Sequence, residues 1–440
     1  MRFFSARCYA ACIAVYALVA ASTVSTIAYA DELPAAVSGA TRGTEELTLS
    51  RAIEVAWTRN PQLRAAQAAV VAGGARVDTA ALRPPLELTA DAENVLGTGD
   101  LSGFSGSEIT VGVAQVFELG RKRAERIGVA QVERRVLESE REWLRLDIQA
   151  DVTDTFVQAL ALEQRIAIVE RARGLADSIV AAAGRRVTAG ASSEAELSRA
   201  RVAVAQTRIE SLTLATQRAA LQRDLARFMG RESPAGGFRL AGSLDPLPGV
   251  PPPSVLVALL ASAPDSQRAA LGREVARARL ALADAQRRPD VSLAGGVRNL
   301  AATNDVALVF RGAVPLGAAR RAGSGIAESR AELERADALA ESSSQTLVTQ
   351  AQSLADALDL AQRELEILRT TVVPESQRAE TLLTRGYELG RFSYLEVADA
   401  QRQSIDASRA LVELTLGYHQ TLLALGRLLG RFQPAEGLSP

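Results

Sequence analysis

The stretch EITVGVAQVFELGRKRAERIGVA, residues 108–130, changes its periodicity half-way along. From Glu108 to Phe117 the apolar Ile109, Val111 and Val113 fall on every second position, the period of a strand with two unlike faces. From Arg121 to about Val187 apolar residues recur every three or four positions and no proline intervenes. A helix of that length would reach roughly 100 Å at 1.5 Å per residue. A periodic run so long points to a coiled coil or helical repeat, not to an ordinary globular helix.

Upstream, Leu86 to Val95 alternates in the same way, with Leu86, Leu88, Ala90 and Ala92 on one face and Glu87, Thr89, Asp91 and Glu93 on the other. The glycine-rich stretch Gly97 to Gly106 joins the two strands into a hairpin. Before them, Leu49–Asn60 reads as a short amphipathic helix with Thr48 as its cap. Pro61 opens a second helix, which Pro84-Pro85 stops. Downstream, a glycine turn at Val187–Ser193 leads into a returning helix that ends near Gly230.

The whole series then occurs again. At an offset of 200, Gly190 falls on Gly390, Ser193 on Ser393, Glu196 on Glu396 and Gly174 on Pro374. Further upstream the offset drifts: Asn60-Pro61 meets Ala263-Pro264, and Arg83-Pro84 meets Arg288-Pro289. Strands are expected at about 290–298 and 305–314, then helices over Arg320–Arg385 and Ser393–Gly430. Gly174 and Pro374 both weaken a helix, so a bend or break is expected at each. Repetition on this scale dictates architecture. The domains expected are a first repeat at 48–230, a Pro- and Gly-rich linker at 231–253 and a second repeat at 254–430. A short extension (31–47) and tail (431–440) flank them.

Residues 1–30 read as a secretory signal: Arg2 and Arg7, an apolar run from Ala10 to Ala21, then Ala28-Tyr29-Ala30 before Asp31. Both cysteines, Cys8 and Cys12, lie inside it, which leaves no thiol for a disulfide, a metal or a lipid anchor. With a formal net charge of −1 and both signs interspersed, nothing suggests a nucleic-acid face. His419 is the only histidine, so a transition-metal site has neither of its usual ligands in number, and no cofactor is expected. No nucleophile motif accompanies it, and Gly73-Gly74 and Gly295-Gly296 lack the phosphate-loop pattern.

Four amphipathic strands leave unpaired edges, which lipid does not tolerate; only a closed barrel removes them. Barrels that span membranes start at eight strands. Two copies would give eight strands and a filled barrel, three would give twelve, and cyclic symmetry is the usual means of pooling. The fold expected is mainly α with a β-barrel part: a long coiled-coil tunnel plus four transmembrane strands per chain, in a trimer. The alternative is a soluble α+β protein, or a periplasmic coiled-coil scaffold, whose strands pack on helices. Aromatics suited to a lipid interface are few, with Phe104, Phe117 and Phe310 the best placed.

The segments Leu49-x2-Ala52-x3-Ala56-x3-Asn60-Pro61, Pro84-x2-Glu87, Glu93-Asn94 and Gln115-Val116-Phe117-Glu118-Leu119-Gly120-Arg121-Lys122-Arg123 make the chain resemble the TolC-like outer-membrane efflux proteins. Pro315-Leu316, Arg320, Gly323 and Ile326-Ala327-Glu328 add to the likeness, as does Gly390-Arg391-Phe392-Ser393-Tyr394-Leu395-Glu396-Val397. Within that family it is most similar to the CzcC-like branch associated with heavy-metal cation efflux. The resemblance implies a homotrimeric duct with its barrel in outer-membrane lipid and its tunnel in the periplasm. A periplasmic adaptor and an inner-membrane pump would feed it, and the cargo would be metal cations, with drugs or secreted peptides as the alternative.

The resemblance also assigns residues. Gly190, Ser193, Gly390, Arg391, Phe392 and Ser393 would form the tips that meet the adaptor. Glu196, Glu396 and Asp399 would ring the tunnel mouth with acid, a device that favours cations, although a solvated helix face would carry the same residues. Tyr387 would help to hold the mouth closed. The family's gate arginine has no counterpart: Phe392 stands there, preceded by Arg391.

Overall fold

The computed structural model describes residues 45–431, apart from Ala235. The signal sequence, most of the N-terminal extension and most of the tail lie outside the described residues.

The first repeat opens with β1 (Glu45–Thr48), α1 (Leu49–Arg59) and α2 (Pro61–Ala81). Thr48 caps α1 by accepting from the Arg51 N–H, and Asn60 caps α2 through the Gln62 N–H. Then come β2 (Leu86–Glu93), β3 (Glu108–Phe117), α3 (Lys122–Thr188) and α4 (Glu194–Phe228). β2 ends at Glu93 because Asn94 takes a positive φ of 55°. The linker holds β4 (Phe238–Ala241), which sequence periodicity did not reveal, and β4 pairs in parallel with β1. The second repeat follows with α5 (Pro253–Leu260), α6 (Pro264–Ala285), β5 (Val291–Leu300), β6 (Asp305–Ala313), α7 (Ala318–Ile367), α8 (Val373–Glu388) and α9 (Tyr394–Leu429).

The expected break at Gly174 is absent: α3 runs through it as one 67-residue helix. A glycine in mid-helix costs about 1 kcal/mol but keeps its hydrogen bond. Pro374 has no N–H to offer the carbonyl of Thr370, and the helix there widens into a π turn, Leu368–Val372.

Strands β2, β3, β5 and β6 form one antiparallel sheet in that order. Register places Leu88 opposite Val113, Val111 opposite Val297 and Val297 opposite Leu308, so the apolar residues of all four strands share one face. That face is open to the surroundings, Leu308 and Phe310 most of all. The opposite face carries Glu87, Asp91, Glu93, Glu108, Arg298 and Arg311.

Helices adjoining the sheet keep its order. α2 packs on α3, α3 on α6, and α6 on α7, each helix continuing one strand. Further away, α4 packs on α3, α3 on α9, and α9 on both α7 and α8. One core cluster lies where these layers meet β1 and β4, and another lies between α5, α7 and α9. Phe156, Leu225, Met229, Phe238 and Leu47 form one cluster, and Leu358, Leu365, Tyr418 and Leu425 form a second. Leu225 and Leu425, 200 residues apart, are both fully buried, so each repeat contributes its own core. Each such leucine is worth about 1.5–3 kcal/mol of burial.

Candidate functional site

Two places in this fold can carry function: the turns at the far end of the helical hairpins, and the junction between sheet and helices. The turns are built alike. At the first, Gly190 has φ +68°, its N–H donates to the Val187 carbonyl at 3.0 Å, and the Ala191 N–H reaches Arg186 at 2.8 Å. At the second, Gly390 has φ +76°, and the Gly390 and Arg391 N–H groups reach Tyr387 and Gly386 at 2.9 and 2.8 Å. Both are Schellman endings, which need the left-handed conformation that glycine supplies without strain.

The start of the returning helix differs between the two. Ser393 accepts from the Glu396 N–H, while the Glu396 carboxylate accepts from the Ser393 N–H and hydroxyl, each at 2.8 Å. This capping box holds the Glu396 carboxyl below the ordinary glutamate range, through the Ser393 backbone N–H first and its hydroxyl second. Ser193 begins α4 without such a bond; its neighbour Ser192 donates to Glu196 instead.

The three acids expected at a mouth are thus partly engaged within the chain. Glu396 is exposed but bound to its own cap. Asp399 is exposed and accepts from Arg402 at 2.6 Å and Gln403 at 2.9 Å. Tyr387 lies in the last turn of α8. Its side chain is 1% exposed, packed among Ile179, Ala182, Ala200, Tyr394 and Val397. The alternation of α8 turns it toward α3, where the Arg186 guanidinium lies 4.7 Å from its ring centre and donates to its carbonyl at 2.9 Å. Burial pushes the Tyr387 phenol up, and its hydroxyl has no hydrogen-bond partner. Arg391 and Phe392 are exposed, the Phe392 ring lying against the backbone of Gly386.

The junction explains the most distinctive motif of the sequence. Glu118 receives a forked pair of bonds from Arg126 at 2.6 and 3.1 Å. Arg126 also donates to the carbonyls of Ala80 and Leu82, and Arg123 to that of Ala81, which satisfies the end of α2. Lys122 pairs with Asp290 at 2.7 Å, and Asp290 also accepts from the Leu119 N–H. The run from Glu118 to Arg126 therefore ties its own β3–α3 crossing to the end of α2 before β2 and to the α6–β5 crossing. Sequence reading found the motif but not this role, because its partners on α2 and before β5 lie 42 to 171 residues away in the chain.

His419 is buried, donating from Nε2 to the Leu244 carbonyl at 2.8 Å, so it is structural. Among the described residues no group of three or more His, Cys, Asp or Glu side chains gathers to hold a metal. No helix among them is long and apolar enough to cross a membrane.

Comparison with known proteins agrees with this geometry. The chain is 27% identical over 317 residues to the cobalt-zinc-cadmium resistance protein CzcC of Cupriavidus metallidurans, covering 72% of this chain and 75% of that protein. A membrane protein from Pseudomonas aeruginosa shares the fold with a TM-score of 0.75 at 22% identity, over 87% of this chain and 92% of the other. The outer membrane protein VceC of Vibrio cholerae does so with a TM-score of 0.72 at 21% identity, over 87% and 96%. The family model described as outer membrane efflux protein matches residues 52–231 and 255–431. Proteins of that family are passive channels and not enzymes. The two matched segments span most of the chain, and the chain belongs to the outer membrane efflux protein family.

Proposed function

We propose that three copies of this chain close into a single export duct, with twelve strands in the outer membrane and a helical tunnel in the periplasm. One observation carries this reading: the chain is open at both edges, and its two ends are complementary. In the sheet, β2 and β6 each pair on one side only. An even number of antiparallel strands makes those two edges run in opposite directions, so β6 of one copy can pair with β2 of the next and continue the ladder. The helical layer has the same form, with α4 at one edge and the α7–α8 run at the other. Both edges are apolar where they should be wet. On α4, Val202, Ala205, Ile209 and Leu212 form an exposed heptad stripe, with Ile209 at 65% and Leu212 at 66%. On α7, Leu339, Leu360 and Ile367 follow the same spacing, with Leu360 at 57% and Ile367 at 58%.

The cargo follows from likeness and charge. The similarity to a cobalt-zinc-cadmium resistance protein supports metal cations. Threefold symmetry would set Glu196, Glu396 and Asp399 in rings near the tips, where the Ser393 cap holds the Glu396 carboxyl below the ordinary glutamate range. The tips, with Gly190, Ser193, Gly390, Arg391, Phe392 and Ser393, meet a periplasmic adaptor, and an inner-membrane pump supplies the energy. Conductance in planar bilayers tests the charge reading. Glu396→Ala with Asp399→Ala lowers the preference for cations over anions; an unchanged preference removes the acid ring. Cells lacking the protein become sensitive to divalent metals; sensitivity to drugs alone reassigns the cargo.

A further inference from the structure

The polar face of the sheet is not charged evenly. Register arranges it in rows across the four strands. The row farthest from the helices is Glu93, Glu108, Leu300 and Asp305, and the next is Asp91, Thr110, Arg298 and Ala307. These two rows hold four carboxylates and one guanidinium. The row after them, Thr89, Gly112, Gly296 and Val309, holds no charge.

Arg298 is fixed within this group. Its Nη1 lies 2.6 Å from Glu108, its Nη2 2.8 Å from Glu93, and its Nε donates to the Thr110 hydroxyl at 2.9 Å. Every guanidinium nitrogen is engaged, and one side chain on β5 reaches across β3 to β2. Glu93 and Glu108 stand directly opposite each other in the β2–β3 register. Like charges so placed repel. Arg298 offsets that repulsion and at the same time cancels part of the negative charge of this rim.

We infer that Arg298 is a specificity-determining residue of the duct, setting the net charge, and so the degree of cation preference, at the outer end of its barrel. The inference rests on the duct reading, in which the apolar face meets lipid and the polar face lines the lumen. Threefold closure then makes the rim a ring with a net excess of acid, and a lumen with low-dielectric walls focuses its field on passing ions. Glu93, Glu108 and Arg298 act there as one unit, because the arginine is held by both acids at once.

The test is the reversal potential of single channels in planar bilayers under a potassium chloride gradient. Wild-type protein prefers potassium. Arg298→Met raises the potassium-to-chloride permeability ratio at least twofold. Glu93→Gln with Glu108→Gln lowers it, which gives a second reading of the rim charge with Arg298 itself left in place. Arg298→Met with Glu108→Gln restores the wild-type charge and returns the ratio to its wild-type value, which a purely structural arginine would not do. Conducting variants whose ratios all equal the wild type overturn the inference and leave the duct standing. A wild-type protein that forms no conducting channel overturns the duct reading, and this inference with it.

Discussion

A Cβ on Gly386 would stand 2.2 Å from Cδ2 of Phe392, closer than any side chain tolerates. The absence of a side chain at 386 is therefore what seats the Phe392 ring on the last turn of α8, beside the Gly390 turn. Gly386→Ala forces the ring outward, at about 1–3 kcal/mol for an overpacked contact. Hydrogen exchange at the Gly390 and Arg391 amides reads that loss as a lower local opening energy. In a Phe392→Ala background the same change costs less, because the three atoms nearest that Cβ all belong to the Phe392 ring.

The Glu396 capping box makes the start of α9 sensitive to acid. Its folded pKa lies below the unfolded one, so its contribution is full above the ordinary glutamate value and is lost as pH falls through the lower folded value. The Ser393 amide, which donates to that carboxylate, is more protected in wild type than in Glu396→Ala at neutral pH. The difference closes at the acid end.

His419 predicts a second acid response at higher pH. Burial lowers its pKa most; the bond to Leu244 and the charge of Asp245 oppose this, and Arg369 adds to it. A histidine with a depressed folded pKa contributes fully above the unfolded value and loses that contribution as pH falls from there toward the folded one. It is the single histidine of the chain. His419→Leu leaves the Leu244 carbonyl unpaired, costing about 1–3 kcal/mol at neutral pH. The gap between wild-type and variant melting temperatures narrows as the medium is acidified through the histidine range.

Much of this fold was legible in the sequence because its periods are long and unmixed. The alternation in Glu108–Phe117 and the proline-free run of α3 each admit one reading. β1 and β4 escaped because each is four residues long, too short for a period, and they pair across nearly 200 residues. The tips were found through Gly190 and Gly390, whose backbone role is local. The burial of Tyr387 and the cross-strand grip of Arg298 depend on contacts between distant segments, which no local pattern encodes.

The helical edges give a test of assembly that leaves the sheet untouched. Ile209→Glu with Leu212→Glu places charge on the exposed stripe of α4, and Leu360→Glu with Ile367→Glu does so on α7. Either pair weakens the trimer at least tenfold by sedimentation, while circular dichroism shows the helix content unchanged. A solvated face would accept both pairs without consequence.

The native mass of the protein extracted from isolated outer membranes tests the closed duct most directly. Three times the chain mass, found in that fraction, is the result predicted by two complementary open edges. A monomer in the soluble periplasmic fraction would contradict it, and the four strands would then be a small sheet with an uncovered apolar face.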